Sequence, residues 1–247
     1  MRFGALIIGD EILSGKRHDK HMAKAIETLA ARGLQLNWCE YLGDEPELIT
    51  AVLRRTLRGE DAVFCFGGIG ATPDDHTRAC AAHAASVALR LHPDAEIEIR
   101  SRFGDATTPQ RLQMGEFPEG SAIIPNPYNR IPGFTLRRHH FFPGFPQMAW
   151  PMMEWVMETY YRDLFDPHRI AESSIIVRGA GESQLIGLMN ECVAQFPAAK
   201  VFSLPHIEVD RRIELGVRGS PREVADAIDH IKRSVTALGF PWTLPGG

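Results

Sequence analysis

The chain holds only four cysteines in 247 residues, Cys39, Cys65, Cys80 and Cys192, and no two of them form a C-x-x-C pair. They lie far apart within apolar or helical patterns, which excludes a disulfide framework or a zinc knuckle and suits free thiols in a reducing cytosol. No apolar run approaches the ~20 residues that a bilayer span needs. The opening "MRFGALIIGDEILSG" meets acids too soon for a secretory signal. The expectation is a cytoplasmic protein with no membrane partner. Positive charge is not in excess either: 27 Lys+Arg face 31 Asp+Glu, scattered without a stripe. That balance argues against nucleic acid as a partner. Internal repeats, low-complexity tracts and coiled-coil heptads are also missing.

What remains is an ordinary globular composition, 44% hydrophobic and 23% charged, enough to bury one large domain and one small one. "FGALIIG" and "DAVFCFGG" are short apolar runs ending in glycine, as strands buried on both faces of a parallel sheet should read. Between them, "KHMAKAIETLAARG" has helical spacing and ends at Gly33, "QLNWCEYLG" reads as a strand, and "EPELITAVLRRTL" as a helix. This alternation predicts a doubly wound α/β domain with right-handed crossovers. "DDHTRACAAHAASVALRL" reads as one alanine-rich helix, and the proline-rich stretch after it as irregular, with short strands at "SAII" and "HHFF". "MAWPMMEWVMETYYRDLF" closes the domain as a packing helix, with Pro151 near its first turn.

A boundary around "DPHRIAES" divides the chain into residues 1–167 and 168–247. The second part reads strand ("SSIIVRG"), helix ("SQLIGLMNECVAQF"), two strands ("KVFSLP" and "RRIELGVRG") and a last helix capped by Ser220 and Pro221. It is expected to be a small α+β module, with the tail "FPWTLPGG" loosely held.

Ligands of open α/β sheets sit beyond the carboxyl ends of the strands. The loops found there carry acids: Asp10 and Glu11 after the first strand, Asp44 after the second, Asp74 and Asp75 after the third. Carboxylates converging from separate strands suit a divalent cation. Each also has a plainer reading, since Thr72, Pro73 and Asp75 can simply start a helix, Asp44 can cap one, and Asp10 and Glu11 can form a polar turn. The glycines tip the balance. Gly67, Gly68 and Gly70 permit exposed N–H groups and close approach of a phosphate, and a magnesium ion between acids and phosphate would turn repulsion into a clamp. The loop is neither G-x-G-x-x-G nor G-x-x-x-x-G-K-[ST], so it supports neither a dinucleotide fold nor a Walker loop.

Taken in order, "GDEILSG", "VFCFGGIGATPDDHT", "IIPNPYNRIPGF" and "FFPGFP" resemble the molybdopterin-binding domain shared by molybdenum-cofactor biosynthesis proteins and the competence/damage-inducible protein A (CinA) family. The resemblance covers about the first 165 residues, a typical domain length. The following module, with "VRGAGESQLIG", resembles the small KH-like second domain of the CinA family, and the further deamidase domain of full-length members is not expected here. The resemblance implies roles for Asp10, Glu11, Asp44, Asp74 and Asp75 as metal-holding acids, with Asp44 and Asp75 acting in catalysis. It implies ligand contacts from Gly67, Gly68, Gly70 and Thr72, from Asn126, Pro132 and Gly133, and from Pro143 and Gly144, which with Pro146 match the P-G-x-P element that shapes the opposite wall of the pocket.

The activity so implied is magnesium-assisted nucleotide pyrophosphate hydrolysis on a substrate such as ADP-ribose, with potassium as an accompanying ion. Adenylyl transfer to molybdopterin, implied by the other branch, and binding of a pterin or nucleotide without turnover are the alternatives. The family also implies a homo-oligomer, for which the helix bearing Trp150 and Trp155 offers an apolar face. Several positions depart from the family pattern. Ala71 replaces a proline, His21 an asparagine, and Met148 a glutamate, while "YNRI", with Asn129 and Arg130, replaces a small neutral stretch. Arg130 is expected either to add a phosphate contact or to block part of the pocket.

Two further features read as structural. His139 and His140 are adjacent on a strand and point to opposite faces, which argues against joint metal ligation. "GAGES" can bind an anion or start a helix through Glu182 and Ser183. Neither a G-x-x-G clamp nor a basic face marks the second module as an RNA binder.

Overall fold

The computed structural model describes residues 1–206 and 212–246; Arg211, the first residue of the predicted strand "RRIELGVRG", and Gly247 lie outside them. The first part runs β1 (Phe3–Ile8), α1 (Asp10–Leu13), α2 (His21–Ala30), β2 (Leu36–Leu42), α3 (Pro46–Thr56), β3 (Ala62–Phe66), α4 (Thr77–Ala85), β4 (Leu89–Leu91), α5 (Pro93–Phe103) and α6 (Pro109–Leu112). It continues with β5 (Glu116–Pro118), β6 (Ala122–Ile124), β7 (Gly133–Leu136), β8 (His139–Phe142) and α7 (Pro146–Tyr160). The second part holds β9 (Ala171–Arg178), α8 (Glu182–Gln195), β10 (Lys200–His206), β11 (Arg212–Gly219), α9 (Pro221–Ala237) and β12 (Trp242–Thr243). Contacts divide the chain into two compact units, Met1–Phe165 and Asp166–Gly247. No helix among the described residues is long and apolar enough to cross a membrane.

In the first unit a six-stranded sheet has the order β2-β1-β3-β8-β7-β6, parallel from β2 to β8 and antiparallel beyond. β1 and β3 are apolar at every position because both of their faces are covered. Alternate residues feed two cores: Leu6, Ile8, Val63, Cys65 and Phe141 pack with α3 and α4, while Phe3, Ile7, Phe64, Phe66 and Phe142 pack with α2 and α7. Met152, Met153, Val156 and Met157 of α7 are buried there, so that helix is indeed a packing element. Trp150 and Trp155, the residues expected to face an oligomer contact, are partly buried against the same core.

His139 and His140 are core residues. His139 pairs with the Thr56 hydroxyl at 2.8 Å, and His140 bridges the hydroxyls of Thr135 at 2.9 Å and Tyr161 at 2.7 Å. Burial pushes His139 down to about 4, helped by the nearby Arg137 charge, and His140 down to about 3, helped by His139.

The alanine-rich helix is shorter than its composition suggests. It begins at Thr77, ends at Ala85 with Ser86 at φ 58°, and gives way to β4 because Leu89 and Leu91 pair with Pro118 and Glu116 of β5. Residues 72–75, read as the helix start, form a separate turn. α5 falls between the helical and the proline-rich stretches read from the sequence: Pro93 opens it and the His92 imidazole caps it, accepting from the Asp94 N–H at 3.2 Å. α7 starts at Pro146, which places Pro151 inside the helix, on its exposed side.

In the second unit, an antiparallel sheet of order β10-β11-β9-β12 packs its apolar face against α8 and α9. Gln184, not Glu182 or Ser183, completes the start of α8 by accepting from the Gly181 N–H at 2.8 Å. The tail is not loose: Trp242 and Thr243 pair with Val177 and Ile176, and the Trp242 indole donates to the Thr236 hydroxyl at 3.0 Å.

Candidate functional site

The strand order reverses about β1 and β3. The chain leaves β1 toward β2 on one side and returns to β3 on the other, so the loops after these strands diverge and open a crevice at their carboxyl ends. A cleft of about 310 Å³ lies there. Each of the parallel strands contributes the residues that follow it: Gly9 and Glu11 after β1, Asp44 after β2, residues 67–75 after β3, and Pro143, Gly144 and Phe145 after β8.

The glycine loop has no room for side chains at its base. A Cβ on Gly67, where φ is +102°, would stand 2.1 Å from the Ile8 carbonyl oxygen; one on Gly68, where φ is +68°, would stand 2.2 Å from Thr77 Oγ1. Gly67 N donates to Phe142 O at 3.0 Å and Thr77 N to Gly68 O at 2.9 Å, which anchors both ends. Arg78, buried beneath, donates to the Gly70 carbonyl at 2.6 Å, to the Glu116 carbonyl at 3.4 Å and to the Gln113 carbonyl. The carbonyls of Gly68 and Gly70 are thus engaged from behind. The N–H groups of Gly68, Ile69, Gly70 and Ala71 donate to no acceptor among the described residues, the state of a cradle for anionic oxygens.

Glu11, Asp44, Asp74 and Asp75 line the same cleft, whereas Asp10 lines a more open space that Glu11, Asp44 and Asp74 also border. The carboxylate of Asp10 accepts from the Asp44 N–H, and that of Asp44 from the Asp10 N–H. Burial pushes Asp44 above the usual carboxylate range, and the charges of Asp10, Glu11 and Asp74 push it further, against the hydrogen bond from Asp10. Asp74 lies below that range, held down by the Thr72 hydroxyl, its own N–H and His76. Asp75 folds back over the loop: its Oδ2 accepts from both the N–H and the hydroxyl of Thr72. Its Oδ1 has no protein partner among the described residues. Among the described residues, no three His, Cys, Asp or Glu side chains are close enough together to hold a metal ion as they stand.

The remaining residues singled out in the sequence divide. Pro143 and Gly144 line the cleft. Asn126 and Pro132 line a smaller apolar cleft of about 140 Å³ next to it, together with Ile69, Met114, Ile131 and Met148. The Asn126 side chain is spent on its own loop, donating to Ile131 O at 2.9 Å and accepting from Tyr128 N at 3.0 Å. Gly133 lines neither of these clefts. It sits in β7, where a Cβ would meet Phe141 O at 2.2 Å, so its small size serves strand packing. Arg130 neither contacts nor blocks the pocket: its guanidinium pairs with Glu98 of α5 at 2.8 Å and 3.2 Å. His21 stacks on Phe66 and its Nε2 reaches Gly144 O at 3.2 Å, steadying the opposite wall.

Arg17, Arg78 and Phe145 belong to the site without having been singled out in the sequence. Arg17 follows the first acidic motif within "GKRHDKH", a cluster of cations beside a cluster of acids. Arg78 is the one charged residue of an otherwise alanine-rich apolar stretch, "TRACAA". Both are signals, though only the tertiary contacts give them meaning.

A family model described as "Probable molybdopterin binding domain" matches residues 4–163. A protein of Caldivirga maquilingensis is 30% identical over 90% of this chain and 90% of its own length. A "CinA-like protein" of Chlorobium luteolum is 28% identical over 94% of this chain, which spans only 58% of that relative. The crystal structure of "the protein CinA with unknown function" from Thermoplasma acidophilum superposes with a TM-score of 0.59 at 28% identity, covering 67% of this chain and 100% of that one.

Proposed function

The chain belongs to the molybdopterin-binding domain family and is CinA-like, and from that premise we propose that it hydrolyses the phosphoanhydride bond of a nucleotide diphosphate such as ADP-ribose. The observation that carries this reading is the meeting, in one cleft, of a row of unspent amide donors with acids that repel one another. The acids supply the hard oxygen ligands that magnesium takes, and the cost seen at Asp44 is one that a divalent cation relieves; because no three of them stand close enough together as they are, holding the ion requires their side chains to turn toward one another. Asp10, Glu11, Asp44 and Asp74 would hold it. Bound there, it would neutralise and polarise the phosphoryl oxygens.

The residues of the chain do the rest. The N–H groups of Gly68, Ile69, Gly70 and Ala71 hold non-bridging oxygens of the diphosphate. Asp75, fixed through Oδ2, orients a water with Oδ1 and takes its proton as the oxygen attacks phosphorus. The P–O–P bridge breaks, giving AMP and ribose 5-phosphate from ADP-ribose.

A second reading, retention of molybdopterin or a nucleotide without turnover, is favoured by the apolar cleft beside the site, which suits a flat ring. We read the second unit, with its β-α-β-β-α order, as a KH-like module with no role in RNA binding, and the protein as a homo-oligomer, testable by light scattering. The activity is tested by incubating the protein with ADP-ribose, FAD or ATP, with and without magnesium plus potassium, and following AMP. Metal-dependent AMP that disappears in Asp75→Ala supports hydrolysis. No AMP, with ligand still bound, moves the assignment to the second reading.

A further inference from the structure

Among the residues lining the glycine-loop cleft, Arg17 is the only lysine or arginine, in the company of Glu11, Asp44, Asp74 and Asp75. It nonetheless forms no ion pair with any described residue. Its backbone is fixed, with Arg17 N donating to Glu11 O at 2.9 Å. Its guanidinium lies 5.9 Å from the centroid of the Phe145 ring, whose side is half-exposed. A cation that rests on an aromatic face beside unpaired acids is held in place and left free to meet a ligand.

Its position says which part of the ligand it meets. Phe145 borders three adjoining spaces: the glycine-loop cleft, the apolar cleft of about 140 Å³, and a third of about 500 Å³ of mixed charge, lined by His18 and Lys20 but also by Glu11 and Asp19. Arg17 stands where the first opens into the third. A ligand whose phosphate rests on the glycine loop and whose chain continues into the third space must pass it.

We propose that Arg17, seated on Phe145, is the specificity-determining cation of this site and selects ligands that present a diphosphate between the glycine loop and the third space. The proposal rests on the phosphate-binding half of the reading above, and its test does not depend on turnover. Guanidinium provides a planar fork for paired phosphate oxygens, which an ammonium cannot reproduce.

The experiment is calorimetric titration with Mg–ADP and with magnesium pyrophosphate on the full chain and on Arg17→Gln, Arg17→Lys and Phe145→Leu. Arg17→Gln is expected to bind both probes about 10- to 100-fold more weakly, as the loss of charge-assisted hydrogen bonds implies. Arg17→Lys recovers part of that loss, and Phe145→Leu loses less than Arg17→Gln. Affinity in the wild type falls with added salt, less steeply in Arg17→Gln. The melting midpoint of Arg17→Gln stays at the wild-type value, because the side chain is exposed and unpaired. Equal affinities in wild type and Arg17→Gln overturn the proposal, and so does a wild type that binds neither probe. A wild type that binds Mg–ADP but leaves ADP-ribose intact removes the hydrolase reading alone.

Discussion

Asp10 and Asp44 clasp one another across the ends of β1 and β2: Asp10 Oδ1 accepts from Asp44 N at 3.1 Å, and Asp44 Oδ2 accepts from Asp10 N at 2.9 Å. The clasp fixes two negative charges side by side, where an unconstrained loop would let them part. Each carboxylate commits one oxygen to the clasp and keeps the other.

Asp44→Asn removes a charge and preserves the acceptor. In metal-free buffer its melting midpoint is therefore expected to match or exceed that of the wild type. Magnesium at 100 times its dissociation constant should add about 2.7 kcal/mol to the wild type and little to the variant. Equal magnesium shifts in the two, read by differential scanning fluorimetry, would remove Asp44 from the metal-holding group.

Arg78 is expected to matter more for the loop than any residue that touches ligand. Arg78→Met leaves the carbonyls of Gly70, Gln113 and Glu116 without their buried donor, at a cost of about 2–4 kcal/mol. Urea unfolding measures it. A loss below about 1 kcal/mol would mean that water replaces the guanidinium and that the loop is held by its anchored ends.

Acid should destabilise the first unit through its core histidines. Their folded values, about 4 for His139 and about 3 for His140, lie below the ordinary 6.5 of an unfolded histidine. Their contribution is present in full above pH 6.5 and is lost as pH falls toward those values, at up to about 1.4 kcal/mol per pH unit for each. Denaturation midpoints between pH 7 and 5 test this. His140→Phe should flatten the dependence, and a slope unchanged by that substitution would assign the loss to other groups.

Gly67→Ala and Gly15→Ala separate conformation from crowding. Both glycines have positive φ, +102° and +73°, yet a Cβ at Gly15 meets nothing within 4 Å while one at Gly67 meets the Ile8 carbonyl. Gly15→Ala should cost about 1–2 kcal/mol, the left-handed penalty alone. Gly67→Ala should cost more and weaken Mg–ADP binding as the loop is displaced. Similar costs at the two sites would mean that the β1 end yields easily.

The buried strands were legible because β1 and β3 are covered on both faces and so carry unbroken apolar runs. The acidic loops were legible because parallel topology sends every such loop to one edge. β4 is hidden at the end of an alanine-rich helical pattern, while β5 ends on Pro118 and β7 follows Pro132 in a stretch whose prolines and glycines read as irregular chain. Thr72 and Asp75 have the residue types and spacing of a capping box and make its acid-to-N–H half, but the Asp75 N–H goes to the Thr72 carbonyl and closes a turn that ends before Thr77. Nothing local distinguishes Gly133, which clears space for Phe141, from a glycine that clears space for ligand. Arg78 acquires its role by tying the Gly70 carbonyl of the loop to the carbonyls of Gln113 and Glu116, more than thirty residues away.

β9 has consequences for how the second unit comes into being during synthesis. Both of its neighbours, β11 and β12, follow it in the chain, so Ile175 and Val177 leave the ribosome with no strand to receive them. The first unit completes its sheet with β8 before any of β9 is made. Translation therefore releases a finished domain trailing an unpaired apolar strand, and in that interval the chain is most exposed to association with its own copies.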